Sequence, residues 1–244
     1  MNHLQNKTVL LAGATGGIGQ ATAISCARTG ARLVLSGRNR EKLDALAGQV
    51  EFAGTEECHV ATADLTDAQS VAGLMEQTQQ LLGGPPDVVI NAAGVGAIKP
   101  LENLSPSDLQ AVLSVNLYGA MLLSQAAVRV MAPRKSGHLL HVVGILGKAP
   151  MANATAYCAS KYGLSGFLAA LRAEVSRRYN LKITGLYLGG VDTPFYNNPL
   201  VEMRVQRDKM LSPDDAANAI LYALTQPDHL VLGDLTLQPE SHQL

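Results

Sequence analysis

By type and spacing, Tyr157 and Lys161 are the residues of this sequence best suited to chemistry. Four positions apart on a helix, they project from one face. That helix is predicted because Leu164, Leu168, Leu171 and Val175 fall on one apolar stripe. An ammonium beside a phenol favours the phenolate, which makes the tyrosine a better proton donor near neutral pH. The pairing suits a reaction in which an oxygen gains or loses a proton as hydride moves. Read alone, it is more simply a tyrosine and a lysine sharing a solvated helix face, and it is the rest of the chain that reverses this reading.

Strand and helix alternate along that chain. Residues 8–12 read as a short apolar strand that runs into Gly13, Ala14, Thr15, Gly16, Gly17, Ile18 and Gly19. A helix follows and stops at Gly30. A strand, a glycine turn and a helix N-terminus make an anion site, because free amides and the positive end of the helix dipole point outward together. The glycine spacing departs from G-x-G-x-x-G, so a plain turn is the alternative. Residues 32–36 form the second strand. An acid for the ribose of NAD would stand at its end. The sequence there is Ser36, Gly37, Arg38, Asn39, Arg40, with no acid before Glu41. A missing carboxylate and a guanidinium favour a 2′-phosphate, hence NADP(H) over NAD(H). Otherwise Arg38 and Arg40 simply solvate the next helix, whose apolar positions are Leu43, Leu46, Ala47 and Val50.

The third strand, 58–63, is closed by Asp64 and Leu65; the carboxylate can accept from an adenine amino group or cap a turn. Thr66 with Gln69 reads as a capping box for a helix bearing Val71, Leu74, Met75 and Leu82. After a fourth strand, 87–90, the small residues of Asn91, Ala92, Ala93 and Gly94 let a cofactor lie against the backbone. Ser105 and Pro106 open a long helix with the stripe Leu109, Val112, Leu113, Asn116, Ala120, Leu123 and Ala127. A buried Asn116 must be bonded, to water or to backbone, with or without a part in catalysis. Strands follow at 139–143 and 182–188. Residues 195–211 have mixed composition and are a candidate lid. A last helix opens at Ser212 and a seventh strand spans 230–237. No linker or repeat interrupts this order, so a single domain spanning 1–244 is expected.

Composition bounds the function. The chain has 244 residues, 47% hydrophobic and 16% charged, which suits one globular α/β core. A net charge of -1 argues against a general nucleic-acid or membrane-surface binder. Cys26, Cys58 and Cys158 lack metal-ligand spacing and suggest buried thiols in a reducing compartment, hence a cytoplasmic protein. His138 and His141 face opposite ways on a predicted strand, so no metal site is expected. Residues 1–7 carry no signal-peptide core, and no apolar run reads as long enough to span a membrane.

Gly13, Gly17 and Gly19, then Asp64, Asn91-Ala92-Ala93-Gly94, Asn116 and Tyr157-x-x-x-Lys161 resemble in order and spacing the short-chain dehydrogenase/reductase family. The resemblance spans essentially the whole chain. It implies a Rossmann-like, doubly wound parallel sheet of about seven strands with a nicotinamide nucleotide at the C-terminal ends of the strands. It implies that Tyr157 is the general acid in reduction and the base in oxidation. Lys161 would bond the nicotinamide ribose and lower the tyrosine pKa. Asn116 would hold a water that passes protons towards Lys161. Gly13, Thr15, Gly17, Ile18, Gly19, Arg38, Asp64, Leu65, Asn91, Ala92, Gly94, Val191 and Thr193 would contact the cofactor. A small carbonyl or alcohol is the implied substrate. The family habit, with small residues such as Ala159, Gly166, Ala169 and Ala173 around the Tyr157 helix, implies a homodimer or homotetramer.

Three positions depart from the family pattern. Ala12 replaces a threonine before the first glycine, and Leu188-Gly189 replaces Pro-Gly after the sixth strand. Gly144 stands where the family has its catalytic serine, which donates to the substrate oxygen. Losing such a donor commonly costs roughly 2.7–4 kcal/mol in the barrier. Ser136 lies before the strand, while Asn153 and Thr155 in the following loop are chemically able to donate. Three functions are therefore compatible with these residues: a working reductase or dehydrogenase, a nucleotide-binding sensor or subunit with little turnover, and a related dehydratase or isomerase.

Overall fold

A computed structural model describes residues 4–241. Among these residues, seven strands form one sheet in the order β3-β2-β1-β4-β5-β6-β7. They are β1 (Thr8–Ala12), β2 (Arg32–Gly37), β3 (Cys58–Thr62), β4 (Val88–Asn91), β5 (Gly137–Val142), β6 (Leu181–Leu188) and β7 (Asp234–Leu237). All pair in parallel. Between them run α1 (Gly17–Arg28), α2 (Arg40–Phe52), α3 (Ala68–Leu82), α4 (Pro106–Leu113), α5 (Gly119–Met131), α6 (Thr155–Tyr179) and α7 (Pro213–Leu224).

Side chains alternate across each strand, so the sheet is buried on both faces. On β1, Val9 and Leu11 join a core with Cys26 of α1, Leu43 and Leu46 of α2 and Ile220 of α7. Leu10 and Ala12 join the opposite core with Leu74 of α3, Leu123 of α5 and Leu164 and Leu168 of α6. Each fully buried leucine is worth roughly 1.5–3 kcal/mol. The strand order reverses between β1 and β4, which opens a crevice beyond their C-terminal ends. The expected single-domain, doubly wound parallel sheet is the fold found.

Local details differ from the sequence reading. The last strand begins at Asp234, not 230, because pairing with β6 starts there and Leu230 is held in a turn by Pro227. The cap of α3 is Asp67, which accepts from the Gln69 amide at 2.8 Å, while Thr66 bonds Asp64. The helix expected from Ser105 is not continuous. Between α4 and α5, Ser114–Tyr118 form a π turn. A π turn inserts one residue and rotates the face. Leu113 is consequently exposed, whereas Asn116 is 1% exposed and points inward. Taken together, Pro106–Arg134 are long and apolar enough by composition to cross a membrane, contrary to the sequence reading. Here Leu123, Ala127 and Met131 of that run are buried in the core against the sheet.

Candidate active site

The crevice is built from the turn after β1 outward. Gly13 has φ +77°, and a Cβ there would lie 2.4 Å from the Ala93 amide, so only glycine lets the β1 and β4 ends approach this closely. The Gly13 and Ala14 amides are tied to Ser36 O, which aims the turn. Helices α2, α3, α4 and α7 are each capped by a side chain, from Asn39, Asp67, Ser105 and Ser212. At α1, Gly16 offers no cap and the first turn holds no acid, so its leading amides stay available to an anion.

One half of the crevice is lined by Gly13, Thr15, Arg38, Asp64, Leu65 and Ala92. Arg40 is paired with Asp44 at 2.9 Å, so Arg38 is the guanidinium left to face the cleft. Asp64 caps its own turn through Thr66, and these bonds, with a smaller contribution from Arg38, hold its carboxyl below the usual range. The other half is lined by Thr15, Gly17, Ile18, Gly94, Tyr157, Lys161, Val191 and Thr193. Gly19, Asn91 and Asn116 stand behind these walls. Gly19 packs on Gly13 O, where any Cβ would collide at 2.2 Å. Asn91 accepts from the Ala93 amide and meets His141, which in turn meets Ser124. Burial first, and then the Lys161 charge, pushes His141 down to about 3, so it stays neutral.

Tyr157 and Lys161 share one face of α6, with the ammonium 5.6 Å from the ring centroid. Lys161 is 3% exposed, and burial lowers it to about 8. Its one hydrogen bond among the described residues goes to Val142 O at 3.3 Å. Nζ has three donors, so it retains capacity towards the space over Gly94. A Cβ at Gly94 would stand 3.7 Å from Nζ and 3.4 Å from Asn116 Oδ1, which makes that glycine a cradle between the two. The expected lowering of the phenol pKa is not found in the chain by itself. Tyr157 is instead raised, by burial first and then by Tyr196 and Cys158. Lys161 is turned to the Val142 carbonyl, and burial is the largest influence on the phenol. Asn116 is satisfied by the protein itself, through both polar atoms of Val95 and through Ser160.

Against Tyr157 opens a second cavity of about 400 Å³. Its walls are mostly apolar, with Ile98, Leu146, Met151, Phe195 and Met210, and Arg204 and Lys209 at its edge. Residues 195–211 cover it. They are anchored by bridges from Val201 to Ile98 and from Leu211 to Val191, and by an ion pair between Arg207 and Asp192. Among the described residues no cluster of His, Cys, Asp or Glu could hold a metal.

The family model described as short chain dehydrogenase matches residues 7–202.

This chain belongs to the short-chain dehydrogenase family.

Its relatives are named as oxidoreductases. An uncharacterized oxidoreductase of Staphylococcus aureus strain N315 is 33% identical over 239 residues, covering 98% of this chain and all of the relative. One from Staphylococcus saprophyticus is 28% identical over the same share. Among solved structures, an alcohol dehydrogenase of the archaeon Thermococcus sibiricus complexed with 5-hydroxy-NADP superposes with TM-score 0.88 at 25% identity, over 98% of this chain and 99% of that one. A metagenomic short-chain oxidoreductase in complex with NADP gives 0.83 at 29% identity, over 97% and 98%.

Position 144, where the family resemblance implies a serine, has the backbone of a glycine. Gly144 has φ +94° and ψ 156°, a conformation essentially confined to glycine. A Cβ there would lie 3.8 Å from Tyr157 Oη, so the position faces the site and is bare. Asn153 and Thr155 do not compensate, because both are exposed and line neither cavity. The insert residues Phe195 and Tyr196 do line the site and were not singled out from sequence. No motif marks them; their position follows Thr193 and Pro194, whose turn directs the chain back over Tyr157.

Proposed function

We propose that this short-chain dehydrogenase transfers hydride between NADP(H) and a small carbonyl or alcohol, with Tyr157 as general acid and base. One observation carries the reading. Tyr157 lines both the crevice that begins at the glycine turn and the apolar cavity beside Gly144. A proton donor at that junction reaches whatever meets across it.

The crevice fits a dinucleotide. The open α1 terminus suits the pyrophosphate, Arg38 suits a 2′-phosphate, and the Gly94 cradle beside under-used Lys161 donors suits a ribose. The NADP in the solved relatives supports the same choice. When bound, the nicotinamide would supply or accept the hydride. In reduction Tyr157 Oη gives its proton to the substrate oxygen as charge builds there. Burial keeps that proton on the phenol until then. Lys161 stands close enough for its ammonium to steady the phenolate left behind. Asn116 fixes the Val95 backbone and so the wall that faces Lys161. Apolar walls suit a substrate with a hydrocarbon body, and residues 195–211 act as a lid over it. Exposed Tyr162, Gly166, Ala169 and Ala173 on α6 offer a close-packing face for a second copy.

Gly144 favours a second reading, a nucleotide-binding protein with little turnover. Following NADPH oxidation against ketones, aldehydes and 3-oxo acids separates the two. Turnover with at least one member is expected; tight NADPH binding with none would favour the second reading.

A further inference from the structure

The structure assigns to Tyr196 the hydroxyl that Gly144 does not provide: its Oη donates a hydrogen bond to the substrate oxygen alongside Tyr157. The assignment rests on the dehydrogenase reading above.

Six residues line both the nucleotide-facing crevice and the apolar cavity: Gly144, Tyr157, Leu188, Gly189, Phe195 and Tyr196. They mark the junction where a substrate carbonyl would meet the hydride. Only Tyr157 and Tyr196 among them carry a side-chain donor. Tyr196 Oη is located by Gly190, where a Cβ would approach it to 3.3 Å, so this bare position after β6 makes room for the phenol. Its ring is held rather than loose. It packs edge-on against Phe195 at 5.2 Å, and Phe195 packs against Tyr157 at 5.7 Å. Among the described residues, nothing accepts from the Tyr196 hydroxyl, so its proton is available. Burial raises the Tyr196 pKa, which keeps the group a neutral donor at working pH. The hydroxyl also lies near enough to Tyr157 to raise that phenol in turn. Tyr196 keeps its proton throughout; the proton the oxygen gains comes from Tyr157.

The test is steady-state reduction by NADPH of whichever ketone the wild type accepts, for wild type, Tyr157→Phe and Tyr196→Phe. Tyr196→Phe keeps the aromatic packing and removes only the donor. Its kcat is expected to fall about 100- to 1,000-fold, as for loss of one oxyanion donor. Its Kd for NADPH by fluorescence is expected to stay within about twofold of wild type, under 0.5 kcal/mol on the binding scale. A kcat close to wild type, with Tyr157→Phe inactive, overturns the Tyr196 assignment alone. Parallel loss of NADPH binding and kcat overturns it too, by making the role structural. A wild type that reduces nothing removes the dehydrogenase reading itself, and this assignment with it.

Discussion

Asn116 grips Val95 by both ends of its peptide unit: Oδ1 accepts from the Val95 amide at 2.8 Å, and Nδ2 donates to the Val95 carbonyl at 2.9 Å. The side chain mimics a strand partner for a segment that pairs with no strand among the described residues, and the π turn is what points it there. Asn116→Leu is expected to leave that amide and carbonyl unpaired in a partly buried site. The cost is about 1–3 kcal/mol for an unsatisfied buried group. Urea denaturation measures it; an unchanged midpoint would show the bonds to be dispensable.

Gly94 lies between Asn116 and Lys161, and a Cβ there would stand 3.4 Å from Oδ1 and 3.7 Å from Nζ. Gly94→Ala should therefore fold normally, since its Cβ meets only ordinary contacts. The methyl fills the cradle, so Kd for NADPH is expected to rise about tenfold or more, 1.4 kcal/mol on the binding scale. Calorimetric titration reads this directly, and an unaltered Kd would place the nucleotide elsewhere.

The two arginines after β2 should behave differently. Arg38→Asp is expected to weaken NADPH by about 10- to 100-fold, the range for a lost charged hydrogen bond, and to shift preference towards NADH. Arg40→Ala should leave the ratio alone, because Arg40 already pairs with Asp44 on the surface. Equal effects of the two would remove the distinction.

Much of this site was legible because local physics writes it into the chain. A glycine turn after an apolar strand, small residues after β4 and a Tyr-Lys pair on one helix face each follow from spacing. The alternation of strands and helices is likewise local, while the doubly wound order of the sheet came from the family resemblance. Other features depend on contacts between distant segments. The π turn at Ser114–Tyr118 carries no composition signal. Tyr196 owes its place to Phe195 packing at a tilt against Tyr157 and to the bridges that tie its segment down. The state of Tyr157 depends on packing in the same way. Helical spacing gives the lysine as a neighbour, but only the packed structure shows that burial dominates.

Gly144→Ser offers a check on why the serine is missing. The backbone at φ +94° strains any side chain, at a cost of about 1–3 kcal/mol. The variant is expected to melt earlier and to gain no activity. A clear gain in kcat without loss of stability would mean that the loop relaxes and that the hydroxyl was simply absent.

Lys161 gives the stability a pH signature. Its folded pKa, about 8, lies below the usual lysine value near 10.4, so the unfolded chain binds the extra proton. The penalty is complete below about 8 and vanishes above about 10.4. Lys161→Met should therefore be more stable than wild type at pH 7, with the gap closing as pH rises through that window. Denaturant midpoints of the pair across pH decide it; a gap that widens with pH would contradict the burial argument.

The most direct measurement is single-turnover NADPH oxidation at 340 nm for wild type and Tyr157→Phe, on a carbonyl that the wild type reduces, with Kd for NADPH measured on both. Tyr157→Phe is expected to slow the hydride step by about 100- to 10,000-fold, the usual worth of a general acid, while Kd holds. A Tyr157→Phe protein that reduces the same carbonyl at the wild-type rate would contradict the proposal that this phenol does the chemistry.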